Sequence, residues 1–374
     1  MEVETLAPPV LISDQGPLDR LAGKLVHEPR LAVDTESNSL HAYRERVCLM
    51  QFSTPEADYV VDPLALDDLN PLGPLFSNPH IEKVFHAAEY DLICLRRDFG
   101  FSFANLFDTM HAARILGHTA VGLDHLLAER FGIEMNKRLQ KADWGARPLS
   151  MELLAYARLD TRFLLPLRDL LKVDLEARGL WGLAAEDFAR ACEEEPQETR
   201  PAAAPWTRVK RTRELSPREL TTLNELCLTR ERIAEKLNRP PFKVMDDRVL
   251  IQIAQLAPRF TQELEGCGLS SKQVERWGAQ LVEAVRRGEG APLVRRPSTQ
   301  RTDEVILKRL DKLKDWRKKA AKEMKVESDI VLPRPLLTAL AEGGPGQLAA
   351  IMARSPWRLQ HFGPQILQVL QAVP

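Results

Sequence analysis

Apolar and polar positions in the first half of the chain predict a mixture of short strands and helices. Short apolar or alternating runs bounded by turn residues predict strands at 10–13, 31–36, 47–53, 58–62 and 83–87. Apolar residues that recur every three or four positions predict helices at Leu18 to His27, Tyr90 to Asp98, Met110 to Leu116, Leu123 to Arg130 and Met151 to Leu171. Because three strands lie close together near the start, the pattern favours an α/β sheet with an antiparallel portion.

The second half of the chain has a helical pattern and contains an internal repeat. Residues 228–258 align without a gap with residues 315–345, at an offset of 87. Identical residues occupy the pairs Arg230/Arg317, Ala234/Ala321, Val244/Val331, Leu250/Leu337 and Pro258/Pro345. We interpret the two segments as copies of one small helical domain.

Two segments without periodicity predict domain boundaries. Residues 193–207 are charged and then rich in Pro and Ala, and residues 288–300 are rich in Gly and Pro. They divide the 374 residues, too many for one ordinary domain, into a first domain and two helical domains. The predicted domains are residues 1–192, 208–287 and 301–374.

Composition excludes several classes of protein. Apolar residues make up 44% and charged residues 28%, as in soluble globular proteins. No apolar run approaches the ~20 residues that span a bilayer, and no secretory signal pattern is present, so we expect a cytoplasmic protein without a membrane partner. The five cysteines are scattered and include no CxxC pair, which argues against a disulfide framework or a zinc site.

The net charge of −1 conceals a strong asymmetry between the two halves. Residues 1–205 contain 21 Lys and Arg against 33 Asp and Glu, a net charge of −12. Residues 206–374 contain 31 against 20, a net charge of +11. An acidic half can concentrate metal ions, and a basic half can hold a polyanion such as nucleic acid. Two unrelated surfaces are the alternative interpretation.

Carboxylates adjoin predicted elements at three places. Asp34 and Glu36 end a strand and, being two apart, project from the same face. Asp91 begins the helix that follows the strand at 83–87, and Tyr156 and Asp160 share one face of a later helix. A divalent cation would relieve the repulsion between such carboxylates, and oxygen ligands suit Mg²⁺ or Mn²⁺. Taken singly, each group also fits a solvated strand end, a helix-starting Asp or a salt-bridged Asp.

The order of these residues resembles the DEDD superfamily of 3′→5′ exonucleases, in the branch that has Tyr in the third motif. The resemblance rests on VDTES, VFHAAEYDL and YARLDT, and NLFDTMHAARILG and KADWGARPLS are typical of the ribonuclease D group. The helical repeats resemble the helicase-and-RNase-D C-terminal (HRDC) domain. The resemblance implies an α/β fold of the ribonuclease H-like type, a mixed sheet with flanking helices, followed by two small all-α HRDC-like domains.

The resemblance also implies roles for individual residues. Asp34, Glu36, Asp91 and Asp160 would bind two divalent cations, Mg²⁺ or Mn²⁺, and Tyr156 would orient the attacking water. Candidate substrate-binding residues are His86 in the second motif, Gln51 and Phe52 on the strand after the metal strand, and Lys141, Trp144 and Arg147 in a later loop. Cations beside an aromatic residue suit single-stranded nucleic acid, although a solvated loop with one packed Trp is the alternative. Asp108 is expected to cap the following helix.

The implied function is that of a 3′→5′ exoribonuclease. It would shorten RNA with a single-stranded 3′ end, such as tRNA precursors, and release 5′-mononucleotides, while the basic clusters at 208–213 and 308–325 contact phosphates. The residues alone indicate phosphodiester hydrolysis, so a 3′→5′ exodeoxyribonuclease is a close alternative. A non-catalytic RNA-binding scaffold is a further alternative, against which the intact set of carboxylates and Tyr156 argues. The sequence does not predict the oligomeric state.

Overall fold

A six-stranded mixed sheet forms the centre of the first half of the chain. The computed structural model describes residues 7–135, 137–193, 204–296 and 303–373. The strands are β1 (Val10–Ile12), β2 (Arg30–Ser37), β3 (Val47–Ser53), β4 (Asp58–Val61), β5 (Glu82–Phe85) and β6 (Leu106–Asp108). They lie in the order β1-β4-β3-β2-β5-β6, with β3 antiparallel to β2 and β4 and all other neighbours parallel. The sheet confirms the predicted α/β class with an antiparallel portion.

Helices flank this sheet. They are α1 (Gln15–Leu25), α2 (Gly73–Ser77), α3 (Glu89–Phe99), α4 (Thr109–Ile115), α5 (Leu123–Phe131), α6 (Met151–Arg162), α7 (Leu164–Ala177) and α8 (Trp181–Glu193). The helix predicted over 151–171 is therefore two helices that meet at Phe163. Pro166 explains the break, because it has no N–H to donate to the carbonyl of Arg162 and its ring would collide with that carbonyl.

Strand β2 occupies the middle of the sheet, between β3 and β5. Leu31, Ala32 and Val33 are each 0% exposed, which explains the uninterrupted apolar run in the sequence. The strand then continues through Asp34 and Glu36, which lie opposite Gln51 and Leu49 of β3. Both carboxylates are thus carried by a strand whose position is fixed on both sides by backbone hydrogen bonds.

The internal repeat is confirmed by the helices that follow. The first copy contains α9 (Pro217–Leu237), α10 (Pro241–Val244), α11 (Asp247–Leu256) and α12 (Ser271–Gly290). The second copy contains α13 (Glu304–Met324), α14 (Ser328–Val331), α15 (Arg334–Gly343), α16 (Leu348–Ile351) and α17 (Pro356–Gln371). The first three helices of each copy are offset by 87 residues at both ends. Arg230 donates to the carbonyl of Met245 at 3.0 Å, and its counterpart Arg317 donates to that of Leu332, also at 3.0 Å.

The chain forms two compact units. Among the described residues, one unit holds 7–37, 47–193 and 303–373, and the other holds 38–46 and 204–296. The second helical copy thus shares a unit with the sheet, an association that the predicted division into three domains did not include. Of the predicted linkers at 193–207 and 288–300, residues 194–203 and 297–300 lie outside the described residues, and residues 288–290 end α12. Within the described ranges, no helix is long and apolar enough to cross a bilayer.

Within the first unit, a buried arginine joins the second helical copy to α8. Arg358 of α17 is 0% exposed and donates to Glu186 at 2.9 Å and to Asp187 at 2.8 Å. Burial alone would raise the pKa of Asp187, but the hydrogen bond from His111 and the charge of Arg358 hold it well below its usual range. Gly182 allows this close packing, because a Cβ there would lie 2.5 Å from the Trp357 ring. The second copy is therefore fixed to the sheet domain by a buried, fully paired network.

Replacing Arg358 by Met should strongly destabilise the first unit. The substitution leaves Glu186 and Asp187 buried without the arginine, and such a loss costs roughly 3–5 kcal/mol of unfolding free energy. The matched control is Arg354→Met, which removes an ion pair from a side chain that is 84% exposed and should cost less than about 1 kcal/mol. Urea unfolding of both variants checks the prediction, and equal losses in the two would contradict it.

Candidate active site

Three carboxylates converge beyond the middle of the sheet. Asp34 and Glu36 project from one face of β2, and Asp160 comes from α6, which packs across β2 and β3. One carboxylate oxygen of each lies within 4.8 Å of the others. The hydroxyls of Ser53 and Thr161, 2.7 Å apart, join β3 to α6 one residue beyond Asp160. The structure thus brings together three residues that are up to 126 positions apart in the sequence.

The fourth carboxylate, Asp91, reaches the same site from α3. It lies in the first turn of that helix, is buried, and accepts a hydrogen bond from the hydroxyl of Thr35 on β2. The backbone before the helix is held by Asp108, whose carboxylate accepts from the amides of Ala87 at 3.0 Å and Ala88 at 2.9 Å. Asp108 also caps α4 as predicted, because it accepts from the amide of His111.

These four carboxylates line one cavity of about 350 Å³. The other residues of its wall come from β2, from the start of α3, from the start of α5, from the loop that follows α5 and from α6. They are Thr35, His86, Ala87, Tyr90, Gly122, Leu123, Asp124, Met135, Lys137, Gln140 and Tyr156. Lys137 forms an ion pair with Asp124 at 2.8 Å, so its positive charge does not compensate Asp34, Glu36, Asp91 and Asp160.

The carboxylates hold their protons to unusually high pH. Burial, and then the charge of Asp160, raises the pKa of Asp34 well above its usual range, while burial and Asp34 do the same for Asp91. Burial and the charge of Asp34 raise the pKa of Glu36 to about 10, and burial and Asp91 raise that of Asp160 to about 7. Proximity and desolvation thus both oppose ionisation. An all-oxygen set with this deficit of positive charge fits hard divalent cations.

Tyr156 stands one helical turn before Asp160 and lines the same cavity. Burial and then the charge of Asp160 raise the pKa of its hydroxyl above the usual value. The phenol therefore keeps its proton and can act as a hydrogen-bonding group but not as a base near neutral pH. The centroid of its ring lies 6.0 Å from that of Trp144, and this packing restricts the position of the tyrosine side chain.

His86 lies in the cavity wall, as its candidate role requires. Its Nδ1 is 2.9 Å from the hydroxyl of Thr109, which is in turn a donor to the carbonyl of Phe85. Burial lowers the pKa of the imidazole, so the ring is neutral near pH 7. His86 thus contributes a fixed polar wall rather than a positive charge.

Four predicted substrate contacts are corrected by the structure. Phe52 is 0% exposed in the main core against Phe76, and Gln51 is 0% exposed beneath α6, so neither can reach a nucleotide. Trp144 is 1% exposed, which confirms the packed alternative and excludes a stacking surface. Arg147 donates two hydrogen bonds of 2.7 Å to Asp62. Its guanidinium thus holds the loop before α6 in place rather than binding a substrate. Phe52 and Trp144 belong to hydrophobic clusters, whereas the side-chain amide of Gln51 is buried without a hydrogen-bond partner.

Several residues of the cavity wall were not predicted from the sequence. Lys141, a predicted contact, is exposed but is not part of the wall, whereas Lys137 and Gln140 of the same loop are. Tyr90, directly before Asp91, and Asp124, at the start of α5, were not predicted. The position of Tyr90 next to the predicted ligand Asp91 was a usable signal, but nothing local marked Asp124, because only the fold brings α5 to the site.

Comparisons with known proteins agree with this geometry. A family profile described as a 3′-5′ exonuclease matches residues 9–176, and one for the HRDC domain matches residues 219–285 and 306–370. Ribonuclease D of Gluconacetobacter diazotrophicus is 35% identical over 301 residues, which cover 79% of this chain and 76% of that protein. Exosome complex component 10 of Mus musculus is 34% identical over 267 residues, 69% of this chain. The match spans only 30% of the mouse protein's length.

Solved structures show the same architecture. The catalytic core of RRP6 from Trypanosoma brucei superposes with a TM-score of 0.67 at 30% identity, covering 78% of this chain and 82% of that one. Escherichia coli RNase D, described as an exoribonuclease involved in structured RNA processing, gives a TM-score of 0.70 at 24% identity. That likeness covers 98% of this chain and 100% of the E. coli chain, and it concerns the fold alone.

The metal-free protein should lose stability as the pH rises. Unfolded carboxyls titrate near pH ~4, whereas folded Asp160 titrates at about 7, so between these values the folded state binds more protons and its stability falls with increasing pH. Thermal unfolding in chelator from about pH 5 to about pH 8 measures this slope. Asp160→Asn should flatten the slope, and Mg²⁺ or Mn²⁺ near pH 8 should stabilise the wild type more than the variant. A wild-type slope no steeper than that of Asp160→Asn would contradict the assignment.

Proposed function

Because the chain belongs to the ribonuclease D family of 3′-5′ exoribonucleases, we propose that it removes nucleotides one at a time from RNA 3′ ends. Each step adds water across the terminal phosphodiester, releasing a 5′-mononucleotide and leaving a new 3′-hydroxyl on the shortened RNA. The proposed substrates are single-stranded 3′ tails of structured RNA, with tRNA precursors as the leading class. The similarity to proteins described as ribonuclease D and as an exosome exonuclease supports RNA as the polymer.

One observation carries the catalytic part of the proposal. Asp34, Glu36 and Asp160 lie within 4.8 Å of one another, and Asp91 lines the same cavity, where the wall residue Lys137 is paired with Asp124. Burying four carboxylates together costs free energy, and cations bound among them would offset this cost. We propose two divalent cations, Mg²⁺ or Mn²⁺, held by these four side chains. When bound, they would lower the pKa of water and neutralise charge on the phosphoryl group and the leaving oxygen.

The remaining groups position the reactants. The protonated hydroxyl of Tyr156 would hold the attacking water by hydrogen bonding and restrict its direction of approach to phosphorus. Thr35 fixes Asp91, so the carboxylates keep their relative positions without substrate. A cavity of about 350 Å³ lies at the small end of the ~300–1,000 Å³ range of ligand sites. This size suits one terminal nucleotide and thus supports exonucleolytic action.

The decisive experiment compares the wild type with Asp34→Asn on a 5′-labelled RNA that carries a duplex stem and a single-stranded 3′ tail. With Mg²⁺ or Mn²⁺ the wild type should produce a ladder that shortens from the 3′ end, because the carboxylates then bind the ions. Chelator or the substitution should abolish it, and a matched DNA should be shortened slowly. Equal shortening of RNA and DNA would identify a general exonuclease, and tight binding without shortening would identify a scaffold.

Replacing Tyr156 by Phe should lower kcat by about 10²-fold or more, because one positioned hydroxyl is lost next to the reacting water. The concentration of Mg²⁺ required for half-maximal activity should stay unchanged, since Tyr156 is not a ligand. Tyr59→Phe is the matched control, because its hydroxyl is also hydrogen-bonded, to Lys24 at 2.8 Å, but lies outside the cavity wall. Single-turnover rates of both variants measure the effect, and a similar loss in each would refute the role of Tyr156.

A further inference from the structure

A pair of arginines converges on one buried hydroxyl in the first helical copy. Thr229 of α9 is 3% exposed, and its Oγ1 donates to the carbonyl of Glu225 at 2.9 Å. The same oxygen accepts from Arg232 of α9 and from Arg287 of α12, each at 3.0 Å. Two guanidinium groups from different helices are thus held against one atom, with their planes restrained before any ligand arrives.

The positive charge of this pair is only partly compensated. Glu225 pairs with Arg287 at 2.9 Å, whereas in the part of the chain that the structure describes no carboxylate forms an ion pair with Arg232. The guanidinium of Arg232 is held by neutral oxygens alone, the hydroxyl of Thr229 and the carbonyl of Leu228. The nearby Glu283 faces a different cation, Arg286, at 3.7 Å. The pair therefore retains an attraction for a further anion.

The space beside the pair suits one anionic group. Thr229, Arg232, Gln280, Glu283 and Arg287 line a cavity of about 180 Å³. This is smaller than the ~300–1,000 Å³ of sites for whole small molecules, so it suits a single phosphate group rather than a nucleotide. Arginine forks match phosphate oxygens through parallel N–H donors, and restrained forks lose less entropy on binding.

We propose that Arg232 and Arg287, oriented by Thr229, bind one phosphodiester of the RNA substrate other than the one being cleaved. This inference rests on the proposed function and adds a specific anchor outside the metal site. The anchor belongs to the first copy alone, because at the repeat offset of 87 Trp316 replaces Thr229 and Lys319 replaces Arg232. A contact to the backbone positions the strand without reading its sequence.

Fluorescence anisotropy of the full chain in chelator tests the anchor without hydrolysis, using a 5′-labelled RNA that has a stem and a long single-stranded tail. Arg232→Ala should weaken binding about three- to tenfold, since charge-assisted hydrogen bonds to phosphate are lost. The slope of log K against log salt should also decrease by about 0.7 for the one lost phosphate contact. A matched DNA tail should lose affinity by the same factor, because the backbone phosphate is shared.

Two further variants make the test specific. Arg276→Ala removes an equal charge from an exposed position on the same helix as Arg287, outside the cavity wall, and should change the affinity by less than about twofold. Thr229→Val keeps both arginines but removes their shared acceptor, so it should weaken RNA binding while leaving the salt slope near that of the wild type. Equal losses for Arg276→Ala and Arg232→Ala, or an unchanged affinity for Arg232→Ala, would overturn the proposal.

The two proposals can fail separately. If the wild type does not shorten RNA with any metal but Arg232→Ala still weakens binding selectively, the anchor is supported and the catalytic proposal is refuted. If shortening occurs but neither Arg232→Ala nor Thr229→Val changes the affinity, the anchor is refuted and the nuclease stands. Thermal unfolding of each variant identifies a loss of binding that is due to unfolding, and if Arg232→Ala is unfolded, Thr229→Val decides the outcome.

Discussion

Mutual repulsion between desolvated carboxylates is the constraint on which this structure depends. Asp34, Glu36 and Asp160 are held together although burial and proximity both raise their pKa values. The scaffold resists this repulsion through strand β2, which is paired on both sides, and through the contact of Ser53 with Thr161. The free-energy cost of burying these carboxylates is thus offset by the packing of the sheet and of helix α6. Bound cations would relieve the repulsion and so stabilise the folded state.

Charged side chains around the site hold its backbone segments in place through hydrogen bonds. Asp108 secures the amides before α3, and Arg147 secures the loop before α6 through Asp62. The charged group of each of these residues is hydrogen-bonded within the protein, to backbone groups or to another side chain. The cavity wall therefore contains few groups that must rearrange when substrate arrives, which favours preorganised catalysis.

Much of the fold could be predicted from the sequence, because its strongest patterns are local. The apolar run before Asp34 and the repeat at an offset of 87 predicted β2 and the paired helices α9 and α13. The family motifs predicted the carboxylates and Tyr156. The errors arose where tertiary packing decides: Trp144 and Phe52 look like binding residues in the sequence and are core residues in the fold. The short strand β6 was missed because it has only two apolar residues before Asp108, a shorter run than the three that mark β1.

The ion pair between Arg358 and Glu186 has a consequence for biosynthesis. The two residues are 172 positions apart, so at roughly 5–20 residues per second the ribosome completes α8 about ten to thirty seconds before it supplies the arginine. During that interval the docking face of α8 presents two carboxylates beside the glycine that will later admit Trp357. The sheet can form early, but this face stays open to water and to other nascent chains until translation brings its partner.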